Sequence, residues 1–481
     1  MFIGRERELG LLEEAYDSGR FQMAIVYGRR RVGKTALLHE FARGKTHVVY
    51  FTARQTLVRE NLEGLSRAMM AGLDETGSSH AASDEPGLIA APSGLAPIYP
   101  SFSDALEALF LRARNERIVL VIDEYPYLAE TYKSISSLLQ SLIDGNKDTS
   151  RMMLVLCGSS MSFMEHQVLG EKSPLYGRRT TQIKVEPFDV FDVARMLGDD
   201  DPDRVVEFYS MVGGVPQYVE QLDATRDLEW NVANRLLRSG SFLSAEPENF
   251  LMQEVRNPAS YNAVLAAVAQ GCVRPIEVAD RTGIAAPLVS QYLGRLEELG
   301  IVRRVVPLPT GNKRQVRYEV SDNLMNFHFR YAVRYETAIE AGMVDQVAAR
   351  VLGRDFPAYV GHTFEAVCRQ WLLRQMRAGK IDMLPRAVGT WWGSGRDGRQ
   401  EEIDVVAVGA DDELLLGECK WNRSEVDASV LGVLKRRAAL VAGGADAQLY
   451  VFSRAGFERE LVERAASDFR VRLVSLGEMF E

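Results

Sequence analysis

Two groups of residues in this 481-residue chain carry side chains that could do chemistry. The first is Gly28-x-x-x-x-Gly33-Lys34-Thr35, within VYGRRRVGKTALL, together with Asp123-Glu124 at the end of RIVLVIDE. Glycines at that spacing let the backbone curl so that its N–H groups face phosphate oxygens, with a cation in Lys34 and a hydroxyl in Thr35 close by. An acid pair at the mouth of a buried strand offers Asp123 to hold a magnesium ion and Glu124 to polarise a water. Those residue types support transfer of a phosphoryl group from a nucleoside triphosphate to water. The second group lies near the other end, in LLLGECKW. There Glu418 and Lys420 stand two positions apart on an otherwise apolar run, with Asp404 in the preceding EEIDVVAV.

The first group needs strands that all end at one edge. From Ile25 to about Val185 the apolar runs MAIVYG, THVVYFTA, RIVLVIDE and RMMLVLCGSS alternate with amphipathic stretches. That alternation predicts an α/β fold with a parallel sheet. The phosphate loop (Gly28, Arg29, Arg30, Arg31, Val32, Gly33, Lys34, Thr35 and Ala36) follows the first run and opens a helical stretch. Thr35 and Asp123 are the expected magnesium ligands. The fourth run ends in Ser159-Ser160, where Ser159 would sense the γ-phosphate. PLYGRRT then offers Arg178 and Arg179, either of which could complete the site of a neighbouring copy. Residues 75–101, rich in Ser, Ala, Gly and Pro, read as a loop or mobile insertion, and residues 187–250 look helical.

Residues 258–320 show three short helical patterns and then two strand patterns around TGNK, the order of a winged helix-turn-helix. On the third helix Leu288, Tyr292, Leu296 and Leu299 are expected to face inward, leaving Ser290, Gln291 and Arg295 outward. Residues 257–335 hold ten Lys/Arg against six Asp/Glu, a basic segment in a chain of net charge −9. The excess gathers in Arg303, Arg304, Lys313, Arg314 and Arg317, where DNA phosphates would be met.

The second group rests on register. If EEIDVVAV and ELLLGECKW form a hairpin about Asp411, paired residue numbers sum to 822, so Val408 faces Leu414, Val406 faces Leu416 and Asp404 faces Glu418. Strand side chains alternate, so all six share one face. Opposed carboxylates repel, and a divalent metal held by Asp404 and Glu418 would compensate them, with Lys420 beside it. Glu365, bordering the buried stripe of the helical stretch TFEAVCRQWLLRQM, could supply a third acid.

The bulk numbers bound the rest. The acidic balance argues against indiscriminate coating of nucleic acid or membrane, and four scattered cysteines read as reduced thiols with no metal spacing. With no apolar leader and no run of membrane-spanning length, the expectation is a cytoplasmic protein without membrane partners.

FIGRERELGLLE, GRRRVGKT, VIDEYPYL, CGSS, LYGRRT and GGVPQYV, in this order, resemble the archaeal and bacterial ATPases related to AAA+ and STAND proteins. The resemblance covers roughly the first 250 residues. It implies a nucleotide pocket bordered by Phe2, Ile3, Gly4 and Arg5 and a helical lid, here without the sensor arginine of standard AAA+ lids. Glu365, Asp404, Glu418 and Lys420 resemble the PD-(D/E)xK restriction-endonuclease-like superfamily, with Ile403 where its proline stands. The combined expectation is an ATPase core with lid (1–250), a winged helix (257–335) and a nuclease-like domain (350–481). ATP and Mg²⁺ would occupy the first site, and Mg²⁺ or Mn²⁺ the last. The implied function is ATP hydrolysis controlling a DNA-acting nuclease, with a homo-oligomer formed through an arginine finger. The alternative is a nucleotide-dependent regulatory switch on an inactive nuclease fold.

Overall fold

The computed structural model describes residues 2–73, 98–312, 315–353, 355–395 and 397–481. Most of the insertion expected at 75–101 lies outside the described residues, as do Lys313 and Arg314. The chain forms two compact units, Met1–Pro187 and Phe188–Glu481.

In the first unit, β1 (Gln22–Tyr27), β2 (Val48–Thr52), β3 (Val119–Asp123), β4 (Met153–Gly158) and β5 (Thr181–Lys184) make one parallel sheet in the order β2-β3-β4-β1-β5. All of β3 and β4 is buried, because helices cover both faces. Ile25, Leu120, Ile122 and Leu154 enter one core, and Ala24, Val26, Val121 and Val155 the other. Each such aliphatic side chain gains ~1.5–3 kcal/mol from burial, which fixes these runs at the centre of the sheet. The edge strands are less buried. β5 (TQIK) buries only Ile183, so no apolar run announced it. Parallel pairing brings the C-terminal ends of β1, β3 and β4 to one edge, where loops can converge on a ligand.

In the second unit, helices Pro258–Ala269, Pro275–Thr282 and Ala286–Glu298 precede an antiparallel hairpin of β6 (Val302–Val305) and β7 (Arg317–Val320). The third helix turns Val289, Leu293, Leu296 and Leu299 into the core, whereas Leu288 is 44% exposed. Two apolar stripes one residue apart compete on that helix, and packing under Leu265 and Val278 selects the one that excludes Leu288.

A second sheet follows: β8 (Pro385–Ser394), β9 (Gln400–Gly409), β10 (Leu414–Lys420), β11 (Gln448–Ser453) and β12 (Val471–Ser475), in the order β12-β11-β10-β9-β8. Leu414 stands opposite Val408 and Leu416 opposite Val406, as the register arithmetic requires. Both faces are buried. Val405, Ala407 and Leu415 share a core with the 22-residue helix Phe356–Arg377, and Val406, Val408 and Leu416 share one with helix Ser429–Ala438.

The helical segment 187–250, expected as a lid within residues 1–250, falls from Phe188 onward in this second unit. Its helix Pro202–Val212 is joined to helix Phe356–Arg377 by Tyr359 Oη donating to Ser210 O at 2.8 Å and Gln370 Nε2 donating to Tyr209 Oη at 2.9 Å. Arg454 reaches the same helix from the end of β11, pairing with Asp203 and, at 3.6 Å, with Glu207. Val205, Phe208, Phe364 and Trp371 belong to one continuous core. Among the described residues no helix is long and apolar enough to cross a membrane.

His328, buried edge-on to Phe329, has its Nε2 enclosed without a hydrogen-bond partner. Burial pushes its pKa down to about 4. The unfolded chain takes up a proton near pH 6.5 that the folded chain refuses. The His328 contribution is therefore complete above about pH 6.5 and is lost as the pH falls through about 4. Denaturant unfolding at pH 7.5 and 5 should show wild type losing about 2 kcal/mol more than His328→Leu. Equal losses would show that His328 takes up its proton as readily folded as unfolded.

Candidate functional site

Three separate turns of the first unit converge at the C-terminal edge of its sheet. The loop after β1 passes into helix Lys34–Ala42 through Gly33, whose φ of 90° is left-handed. Gly28 is required by space, since a Cβ there would lie 2.3 Å from the carbonyl oxygen of Val185. Lys34 Nζ folds back on the loop and donates to the carbonyls of Gly28 and Arg29, both at 2.9 Å. Burial draws the Lys34 pKa down, against the opposing pull of Glu124 and Asp123. Thr35 Oγ1 donates to Asp123 Oδ2 at 3.0 Å. Glu124 accepts from Ser159 at Oε2, from the hydroxyl at 2.9 Å and the backbone N–H at 3.3 Å.

The pairing of Thr35 with Asp123 beside a helix N-terminus fits a phosphate-bound Mg²⁺. One hydroxyl can donate to the carboxylate and still present a lone pair to the cation. The backbone adds a further mark. Arg5, Arg31, Glu124 and Asp412 are the non-glycine residues with positive φ among the described residues, and the first three belong to this site. Such strain persists only where surrounding structure enforces it, and it gathers at functional sites. Arg5 is seated against the loop, donating from Nη2 to Val32 O at 2.9 Å, so the first motif does reach the phosphate loop. Arg30 donates to Tyr127 Oη at 3.2 Å.

Arg178 and Arg179 do not join this constellation. They precede β5 at the opposite edge, where Thr180 N donates to Met23 O. Roughly the length of β1, about 15 Å, separates them from the loop. Arg178 is forked onto Asp144 at 2.8 and 2.6 Å. Neither arginine can complete the phosphate site of its own chain.

In the second unit, pairing of β9 with β10 ends at Val405 and Gly417. Beyond that point the strands part, and Asp404 Oδ2 accepts the Cys419 N–H at 2.8 Å. The Ile403 carbonyl takes the Thr390 hydroxyl at 2.8 Å. Asp404 thus does the work of a ladder rung. Its pKa is raised, by burial first and then by the nearby Glu418 and Glu365. Glu365, on helix Phe356–Arg377, accepts from His362 at 3.1 Å and lies 3.9 Å from Arg369, which donates to the Asp404 carbonyl at 2.6 Å.

Glu418 is 4% exposed and accepts from two cationic side chains. Lys420 Nζ donates to Oε1 at 2.7 Å, and Arg437 Nη1 reaches both oxygens at 3.1 and 2.9 Å. Arg437 also pairs with Glu401 at 2.8 Å, holding that carboxyl below its usual range. Among the described residues no three His, Cys, Asp or Glu side chains are grouped to hold a metal ion. In this arrangement Asp404 and Glu418 do not fit a metal centre. Arg437 escaped the sequence reading, although its place beside the buried Leu434 and Ala438 was a signal of the kind that drew attention to Glu365.

The basic hairpin is less free than its composition suggests. Arg303 is forked onto Glu319 at 3.0 and 2.8 Å. Arg317 donates to Glu402 at 3.2 Å and lies over the Trp392 ring, 4.2 Å from its centroid. Leu308 N donates to Thr390 O at 2.9 Å, so the hairpin is docked on the edge strand β8.

Residues 2–222 match a family described as an ATPase domain predominantly from Archaea, and residues 328–431 match archaeal and bacterial proteins of unknown function. An uncharacterized protein of Methanocaldococcus jannaschii is 29% identical over 424 residues, covering 88% of each chain. An uncharacterized ATP-binding protein of the same organism is 44% identical over 45 residues, 9% of this chain and 76% of that protein. Among solved structures, a Walker-type ATPase of Pyrococcus abyssi is 20% identical with a TM-score of 0.49, covering 68% of this chain and 96% of its own. The Aeropyrum pernix ORC2 protein in ADPNP and ADP complexes is 14% identical with a TM-score of 0.38, covering 70% and 94%. Residues 2–222 carry a P-loop ATPase domain.

Proposed function

We propose that this chain hydrolyses ATP with Mg²⁺ and uses its nucleotide state to govern a second unit that acts on DNA. One observation carries the first half: Lys34, Thr35, Asp123, Glu124 and Ser159, from three separate turns, meet at one edge of a parallel sheet. In this reading Lys34 leaves the loop carbonyls for the β and γ phosphates, Thr35 and Asp123 hold the Mg²⁺ complex, and Ser159 contacts the γ-phosphate. Mg²⁺, when bound, neutralises charge on the phosphates. Glu124, released from Ser159, orients the attacking water. Arg178 or Arg179 would serve only in a second copy, which makes a homo-oligomer part of the reading.

The second half rests on three helices with a hairpin, read as a winged helix over 257–335, followed by the nuclease-like sheet of 350–481. Exposed Arg304, with Lys313 and Arg314, would meet DNA phosphates. Cleavage at Asp404, Glu418 and Lys420 requires Arg437 to leave Glu418. That demand favours a second reading, in which the nuclease fold is an inert scaffold of a nucleotide-dependent switch.

Lys34→Ala tests the first half. Phosphate release should fall to background, a loss of at least about 100-fold, with weakened ATP binding, because the charge-assisted contacts to the phosphates are removed. Turnover by Lys34→Ala within a few-fold of wild type would refute the assignment.

A further inference from the structure

β2 supplies no residue to the motifs described so far, yet it ends beside them. Tyr50 lies near the C-terminal end of β2, and its hydroxyl donates to Asp123 Oδ2 at 3.0 Å. This is the same oxygen that receives the Thr35 hydroxyl, also at 3.0 Å. The other oxygen, Oδ1, accepts the Glu124 backbone N–H at 2.9 Å. With the Cys157 thiol also hydrogen-bonded to Asp123, donors from several elements therefore hold one carboxylate. A carboxylate so held is restrained in orientation, with lone-pair capacity left over for a hydrated cation.

Tyr50 is itself held. Its ring lies flat on the His39 imidazole, with centroids 4.5 Å apart and planes within 10°. His39 follows Thr35 by four residues on helix Lys34–Ala42, so one helical face carries both the hydroxyl that meets Asp123 and the ring that backs Tyr50.

We propose that Tyr50, backed by His39, is a positioning residue for the magnesium–nucleotide complex, fixing the Asp123 carboxylate before the cation arrives. The inference rests on the ATPase reading and adds to it two residues outside the nucleotide-binding motifs. Asp123 and Thr35 touch the Mg²⁺ complex. Tyr50 acts only through Asp123. Its hydroxyl should therefore matter to metal-dependent binding and not to the contacts that the loop makes with phosphates alone.

The test measures binding of a fluorescent N-methylanthraniloyl ATP to the full chain, in EDTA and then across a Mg²⁺ titration, for wild type, Tyr50→Phe and His39→Ala. Tyr50→Phe removes one hydroxyl and keeps the ring, so its melting temperature should stay within about 2 °C of wild type. The Mg²⁺ concentration for half-maximal binding should rise about tenfold, with affinity in EDTA unchanged within about twofold. His39→Ala should move the same midpoint in the same direction, by about threefold. A Tyr50→Phe midpoint equal to wild type overturns the inference, as does an equal loss of affinity in EDTA, which would mark a merely structural role. A wild-type protein whose nucleotide binding does not respond to Mg²⁺ overturns the ATPase reading and this inference with it. A wild-type response that Tyr50→Phe fully shares overturns the inference alone.

Discussion

Glu124→Gln is expected to bind ATP and scarcely turn it over. Glutamine has the same shape and can still accept from the Ser159 hydroxyl, which now lies 2.9 Å from Glu124 Oε2. It lacks the charge needed to polarise a water. Turnover should fall by about 10²–10⁴-fold, the usual worth of a positioned acid or base. Affinity should stay within about twofold, because Lys34 and the loop N–H groups hold the phosphates. Single-turnover hydrolysis of labelled ATP, set beside equilibrium binding, separates the two effects. Wild-type turnover in Glu124→Gln would remove Glu124 from the chemistry.

Arg437→Ala should have the largest effect on stability and should also separate the two readings of the second unit. Glu418 is buried, and Arg437 reaches both its oxygens while Lys420 reaches one. Removing Arg437 leaves a buried carboxylate with a single cation, a loss of about 3 kcal/mol. For a unit of this size that is a melting temperature lower by roughly 5 °C. Adding Mn²⁺ then decides. If Glu418 and Asp404 can take a cation once Arg437 is gone, Mn²⁺ should restore part of the loss in Arg437→Ala and do little for wild type. Such a result supports the nuclease reading, with Arg437 as the group that must move. A loss that no divalent ion repairs assigns Arg437 to the scaffold and supports the switch.

What could be read from sequence depended on how far apart the interacting residues lie along the chain. The phosphate loop and the acid pair were legible because each is a contiguous signature whose neighbours dictate a strand and a turn. The β9–β10 register was legible because a short hairpin leaves few choices, and Leu414 does stand opposite Val408. Tyr50 and His39 were not, since nothing local links residue 50 to residue 123 before β2 and β3 pair. β5 was hidden because an edge strand need bury only one side chain. At Glu418 the electrostatic demand was visible and its answer was not. Two opposed carboxylates do need compensation, but it comes from Lys420 and from an arginine on a helix nineteen positions downstream of Glu418. The sequence does not place this second cation beside Glu418, because only tertiary packing delivers it.

The shared core of residues 188–250 and helix Phe356–Arg377 has a consequence for how such a chain can be assembled or cut. A fragment ending at residue 250 would retain Val205, Phe208 and Tyr209 without the side chains that helix Phe356–Arg377 adds to their core, leaving a sticky, incomplete surface. A break at Pro187 instead leaves each compact unit with its own core. The helices of residues 188–250 and helix Phe356–Arg377 must in this sense be kept together. A cut that separates them parts residues that need one another to stay out of water.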